Sequence, residues 1–578
     1  MQGLAVSKGI AMGEAFVLLA RELKAPIYEI KDSDRPNERK RFQDAILKTK
    51  AEINKIRDEL VSSIGESEAA IIDAHLMVLE DVAIIDETMQ FFESGNLNIE
   101  YCYMAVVDKF ISAFEKIEDP IIKERITDLR DVSTRVLRNF LGVESVKIGQ
   151  FSDAVILVSS DFTPSDFSLV DKSKLLGIVS GKGSPTCHTA ILARSLGIPC
   201  VVGVEGVVDK IASGDPLLAD GYNGKVFVNP RPQTLSAYNE LESVHRENQI
   251  VFNSSLPSES KTADGQPFNV ELNISDSSDI SGNVMSYCDG VGLFRTEAFF
   301  LSSAAFPDET AQFQAYKAAV VAAAGKPIII RTLDLGGDKT LSLMKEVYKE
   351  ENPFMGCRAI RFCLDHPDIF LVQLRAILRA SAFGKVKIML PMICSVREVE
   401  RARIFIDKAK DQLREAGENF DENIEVGVMI EIPSAALTVD IIADACDFIS
   451  IGTNDLVQYL LAVDRVNETV AHLYEPYHPA VIRMLDMIVS KARSMGIPVG
   501  ICGEIAADPI FTPLLLGMGV THFSMSQKSV GEIKFFLRKL TMPQAVALKD
   551  EILLMKRSPH IVNRLRSFHY ESLRQYLK

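Results

Sequence analysis

The chain has 578 residues, 47% of them hydrophobic and 24% charged, enough apolar sequence for several separate cores. Its 63 Lys and Arg against 78 Asp and Glu leave a formal charge of −15, which excludes general binding to nucleic acid or to an anionic membrane, so any anionic ligand must be gathered by local arginines. Nine cysteines without a C-x-x-C pair suit reduced thiols better than a disulfide framework or a zinc site; no apolar run reaches the length of a membrane span, and a cytoplasmic protein is expected.

In chain order, the first twenty residues read as short strands separated by glycine turns. Residues 34–142 change character, with Glu, Lys, Arg, Leu and Ile at helical spacing. This predicts a bundle of about four helices broken near Gly65, Gly95 and Pro120. Beyond it, DAVILVS, LLGIVSG, CVVGV, PLLAD and KVFVNP are short apolar strands alternating with helical stretches. The expectation is an α/β domain built from residues 1–33 and 143–230, interrupted by the helical insertion 34–142. Residues 231–260 read as a charged helix running into a Ser/Pro-rich linker. From 261 to 578, eight strand-like runs recur, each followed by helical sequence: FNVELNI, GVGLFRTE, PIIIRTLD, KVKIMLPM, IEVGVMIEIP, FISIGTND, PVGICGE and THFSMS. Eight such units predict a (β/α)8 TIM barrel; an open α/β sheet would gather ligands at the same strand ends.

The stretch Gly181 to Gly203, GKGSPTCHTAILARSLGIPCVVG, places His188 in a turn directly before a helical segment. A helix start offers free backbone N–H groups and the positive end of the helix dipole, which tolerate a phosphate on the imidazole. Thr186 and Thr189 add hydroxyl donors, and Arg194 is expected to neutralise charge a turn or so further on. A histidine in an ordinary surface turn is the plain alternative; the coincidence of turn, hydroxyls and helix start favours a phosphorylatable one.

In the C-terminal half the polar residues fall at strand ends. Arg295 follows VGLF, Arg331 follows PIII, Glu431 follows VGVMI, Asn454 and Asp455 follow FISIGT, and Cys502 follows PVGI. Glu431 and Asp455 are oxygen donors suited to Mg²⁺, the alternative for each being a helix cap or an arginine partner. Arg295, Arg331 and Arg465 present planar forks that match carboxylate and phosphate, implying a small substrate with more than one anionic group. Arg358 and Lys339 are weaker candidates for the same mouth, and Arg401, Arg403 and Arg414 read as surface charges. Cys502 at a strand end is a candidate proton donor or acceptor.

The histidine segment resembles the phosphohistidine signature of the phosphoenolpyruvate (PEP)-utilising enzymes. The strings GVGLFRTE, RTLDLGGDK, ENPFMGCRAIR, IEVGVMIEIPSAA, FISIGTNDLVQYLLAVDR and GICGEIAADP resemble that family's PEP-binding barrel. The resemblance spans nearly the whole chain and implies a swivelling phosphohistidine α/β domain followed by the barrel. His188 would accept the phosphoryl group on Nε2. Arg295, Arg331, Asn454, Asp455 and Arg465 would hold PEP, Glu431 and Asp455 would hold Mg²⁺, and Cys502 would protonate the enolate carbon to give pyruvate. The helical insertion, ending in DLRDVSTRVLRNFLG, resembles the segment with which carrier-directed members dock the small phosphocarrier protein HPr, and no nucleotide-binding motif is present. A homodimer through the barrel is expected by resemblance only. Where the family usually has Gly-Gly-x-Thr-Ser-His, this chain reads Gly183-Ser184-Pro185-Thr186-Cys187-His188, a stiffer loop with a thiol beside the imidazole.

Overall fold

The structure, a computed structural model, describes all residues except 19–22, 65, 115–119, 143–153, 163–173, 184–186, 281, 302–305, 337–351, 466, 468–469, 575 and 577–578. The chain divides into two compact units, Met1–Glu242 and Ser243–Lys578.

In the first unit, β1 (Leu4–Ser7) and β2 (Ile10–Leu18) precede five helices: α1 (Arg35–Ile64), α2 (Glu66–Leu79), α3 (Val82–Ser94), α4 (Ile99–Phe114) and α5 (Pro120–Leu141). The expected four become five because the chain also breaks at residues 80–81, where Asp81 caps α3 by accepting from the Ala83 N–H at 2.8 Å. Next come β3 (Val155–Ser159), β4 (Leu175–Ser180), α6 (His188–Leu196), β5 (Cys200–Val202), β6 (Pro216–Asp220) and β7 (Lys225–Val228). The seven strands form one sheet in the order β1-β5-β4-β3-β2-β6-β7. β2 lies parallel to β3 although the whole helical insertion separates them in sequence. The central strand is apolar on both faces, and its alternation sorts the cores. Val155 and Leu157 join Phe42, Ile53, Tyr103 and Val107 of the helices, whereas Ile156 and Val158 pack with Val204, Val207 and Leu217 on the other face.

The helix α7 (Pro232–Ser254) follows β7. Near its start Tyr238 donates to Asp220 at 2.9 Å and packs edge-on against Phe227; near its end Phe252 packs on Phe535. Residues of the Ser/Pro-rich segment that follows are hydrogen-bonded within the second unit. Ser260 donates to Asp289, the Ala263 N–H to the Leu540 carbonyl, and the Met542 N–H to Asp264.

The second unit is a closed barrel of eight parallel strands, which resolves the open-sheet alternative. They are β8 (Asn269–Ile274), β9 (Gly290–Arg295), β10 (Ile328–Arg331), β11 (Val386–Leu390), β12 (Glu425–Ile430), β13 (Ile449–Gly452), β14 (Val499–Cys502) and β15 (His522–Met525). Closure is made by β15 against β8, with Phe523 beside Val270 and Met525 beside Leu272. Period-two alternation again sorts the side chains. One set, including Val270, Ile330, Val428 and Ile451, packs outward on the helices, while Leu293, Ile329, Met389, Met429, Phe448 and Cys502 form a separate small cluster inside.

Candidate active site

His188 is the first residue of α6, preceded by Cys187 in extended conformation at the N-cap, so the first-turn N–H groups gather at the histidine's end of the helix. Gly183 sits at φ +122°, and a Cβ there would come within 2.9 Å of Cys187 Sγ and 3.2 Å of Val202 Cβ; only glycine lets the loop pass so close to β5. Arg194 does not stand where the sequence suggested. It lies in the last turn of α6, at the opposite end from His188, and donates to the Val6 carbonyl at 3.5 Å. Six residues of helix span about 9 Å, too far for it to serve the helix start. Thr189 is buried. Ser184, Pro185 and Thr186 lie outside the described residues, as does Lys339.

The barrel brings its candidates together at the carboxyl ends of the strands. Arg295 ends β9 and stands in register with Arg331, which ends β10. Arg331 is buried; its Nη2 contacts Glu297 at 2.5 Å and Asp334 at 3.1 Å, and its Nη1 faces Met429 Sδ at 3.8 Å, while its Nε has no hydrogen-bond partner among the described residues. Arg358, which the sequence ranked as a weak candidate, is the largest fully buried side chain among the described residues. It forks onto Asp334 at 2.9 and 3.2 Å and reaches Asp455 at 3.3 and 3.4 Å. Room for it comes from Gly336 at φ +116°, where a Cβ would lie 2.9 Å from the Arg358 Cα.

Glu431 follows β12, and Asp455 opens the helix α8 (Thr453–Leu461) after β13, so neighbouring strands deliver two carboxylates to one mouth. Glu431 Oε1 accepts from the Met392 N–H at 2.6 Å, a contact for which Met392 adopts the left-handed conformation at φ +57°. Burial, together with the charges of Asp455 and Asp334, pushes the Glu431 carboxyl up to about 8. Arg331 and Arg358 are held protonated, their burial outweighed by the surrounding carboxylates. Asn454 accepts from the Glu504 N–H at 3.2 Å through its side chain and from the Tyr474 hydroxyl at 3.3 Å through its carbonyl. Arg465 extends to 3.9 Å from Asp455. Cys502 ends β14, is 2% exposed, and has its thiol held above the ordinary range by burial. By contrast, Arg403 and Arg414 pair with Asp447 and Glu422 on the surface, and Arg401 reaches the Leu364 carbonyl.

Four arginines and four carboxylates (Glu297, Asp334, Glu431, Asp455) thus meet at one end of the barrel. Sequence reasoning missed Glu297 and Asp334. Asp334 stands three residues beyond Arg331 in RTLD, a spacing that only tertiary geometry turns into a shared arginine clamp.

Comparison with known proteins agrees with this architecture. Residues 2–125 match the family PEP-utilising enzyme, N-terminal; residues 151–224 match PEP-utilising enzyme, mobile domain; and residues 253–542 match PEP-utilising enzyme, PEP-binding domain. A phosphoenolpyruvate-protein phosphotransferase of Staphylococcus carnosus is 38% identical over 97% of this chain and 98% of its own length. Proteins of the same name from Haemophilus influenzae, 39% identical over 99% of both chains, and Bacillus subtilis, 38% identical over 97% of this chain and 98% of its own, are similar throughout. The chain belongs to the PEP-utilising enzymes, in the branch of the phosphoenolpyruvate–protein phosphotransferases.

Proposed function

We propose that this chain takes the phosphoryl group of PEP onto His188, releases pyruvate, and passes the group to the histidine of HPr, the Enzyme I step that begins sugar uptake by the phosphotransferase system. The observation that carries this reading is the buried cluster of arginines and carboxylates around Cys502 at the barrel mouth. PEP brings a phosphate and a carboxylate; Arg295, Arg331 and Arg465 offer planar donors to both, Asn454 adds an amide donor, and Asp455 holds Arg358 and Arg465 at the site and faces the phosphate through the cation. The Nε of Arg331, without a partner among the described residues, is a donor that a ligand oxygen would satisfy.

Glu431 and Asp455 fit a hard divalent cation. Their oxygens are the right donors, and such an ion would neutralise the carboxylate charge that, after burial, raises Glu431. Two carboxylates delivered by neighbouring strands would hold Mg²⁺ with substrate and water completing its shell. When bound, Mg²⁺ would supply charge neutralisation for the transferring group. The arginines orient the substrate, Cys502 gives its proton to the enolate carbon, and His188 acts as nucleophile from a helix start that favours the added charge.

We assign residues 1–33 and 143–230 to a swivelling phosphohistidine domain, 34–142 to HPr docking, 231–260 to the linker and 261–578 to the barrel. Pairing through the barrel is supported by exposed Leu437 and Ile441 on successive short helices and by exposed Ile404 on Val396–Ala416, packed beside the second of these. Among the described residues no helix is long and apolar enough to cross a membrane, and we infer a cytoplasmic location. Incubation with labelled PEP and Mg²⁺, with and without HPr, tests the reading. Acid-labile, base-stable label on the wild type, absent from His188→Ala and discharged by HPr, supports it; an unlabelled wild type overturns it.

A further inference from the structure

Cys502 is held by two contacts of opposite sense. Its S–H donates to the Ile451 carbonyl at 3.5 Å, and its sulfur accepts from the Ser450 hydroxyl, also at 3.5 Å. Strands β13 and β14 run in parallel register, with Ser450 beside Gly500 and Gly452 beside Cys502, so the hydroxyl reaches the sulfur from one layer below. Ser450 is buried in a short, otherwise apolar strand, next to an interior lined by Leu293, Ile329, Met389, Met429 and Phe448. Packing alone gives no reason for a hydroxyl there, since burying one costs free energy unless it finds a partner. Its partner is the reactive sulfur.

We propose that Ser450 is the positioning residue for Cys502: its hydroxyl fixes the sulfur and stabilises the thiolate left after the thiol protonates the enolate. The inference rests on Cys502 as proton donor. In that step the S–H bond breaks and the proton bonds to C3 through the C2=C3 π pair. The C2 oxyanion becomes the carbonyl of pyruvate, and the S–H electron pair stays on sulfur. A new anion then sits against apolar side chains. The Ile451 carbonyl, an acceptor, repels it, whereas the Ser450 O–H already points at it.

The test uses the full-length chain with Ser450→Ala, Ser450→Thr and Cys502→Ala. Pyruvate formation is followed with PEP, Mg²⁺ and HPr, and the labelling of His188 by phospho-HPr is followed separately. Loss of a hydrogen bond to a developing charge predicts that Ser450→Ala lowers kcat for pyruvate about 10- to 100-fold with KM for PEP unchanged. The solvent deuterium isotope effect rises as proton transfer becomes limiting, and labelling by phospho-HPr stays at the wild-type rate. Ser450→Thr, which keeps the hydroxyl, recovers most of the rate. The inference is overturned if Ser450→Ala turns over normally, if only KM changes, if both half-reactions fall together, or if Ser450→Thr is as slow as Ser450→Ala. If Cys502→Ala still forms pyruvate at the normal rate, the proton-donor reading itself fails. If Cys502→Ala is blocked while Ser450→Ala is normal, only the role of Ser450 falls.

Discussion

Replacing Asp334 by asparagine removes the carboxylate that two buried arginines share. Arg358 loses its bidentate partner at 2.9 and 3.2 Å and keeps the longer contacts to Asp455 and to the Tyr459 hydroxyl at 3.3 Å, while Arg331 loses one of its two carboxylates. The asparagine NH₂ group brings a donor to face a donor. Breaking a buried ion pair from one side costs about 3–5 kcal/mol. Part of this is returned, because Glu431 loses one of the two carboxylates that repel it, so the lower end is expected. A unit of about 340 residues unfolds with an entropy of roughly 0.7 kcal/mol/K, which converts about 3 kcal/mol into a drop of about 4 °C in its melting temperature. Scanning calorimetry on the full chain, with and without PEP and Mg²⁺, measures it. The variant should also be stabilised more by PEP than the wild type, since the ligand supplies the anion the arginines lack. Arg414→Ala, which breaks a solvent-exposed pair with Asp411 and Glu422, should leave the transition unmoved. An Asp334→Asn barrel that melts within a degree of the wild type would refute the shared-clamp account.

Gly183→Ala, at φ +122° and with its Cβ 2.9 Å from Cys187 Sγ, should cost about 1–3 kcal/mol in the first unit and slow labelling of His188, with the barrel transition unchanged. Asp220 accepts four hydrogen bonds, from the Tyr222 and Asn223 N–H groups, the Asn223 side chain and the Tyr238 hydroxyl, which hold its carboxyl below the usual range. Its stabilisation is complete above the unfolded Asp value near 3.9 and is lost as pH falls through the lower folded value. Asp220→Ala should therefore cost about 2 kcal/mol at pH 7 by urea unfolding, with the gap to wild type narrowing only below about pH 4. Tyr474→Phe deletes the hydroxyl that donates to the Asn454 carbonyl, and steady-state kinetics should show kcat/KM for PEP lower by about five- to tenfold with the melting temperature unchanged.

Most of the architecture was legible because the chain changes period where it changes structure. Each of the eight barrel runs became a strand, and Arg331, Glu431 and Cys502 stand at strand ends because the apolar runs stop one residue before them or at them, while Asn454 falls in the first turn of the helix that follows β13. Three readings went astray for physical reasons. The break before α3 carries no glycine or proline, so only Asp81, a good N-cap, could have signalled it. Arg194 is near His188 in sequence, but helical rise carries it to the other end of α6. The importance of Arg358 was underestimated because its fork is fixed by Asp334 and Asp455, acidic partners that local spacing does not connect. Ser450 escaped notice for a simpler reason: a serine in a strand carries no signal until the register with β14 is known.

The edge strand β1 pairs with β5, Leu4 beside Val202, and the terminal amine reaches the Val226 carbonyl. A ribosome adding about 5–20 residues per second needs roughly 10–40 s to produce that partner after β1 emerges. Through that interval the helical insertion can fold on local contacts, whereas β1 and β2 wait unpaired with their edges open. The sheet of the first unit therefore closes late in its synthesis, with β1 held back until β5 has been made.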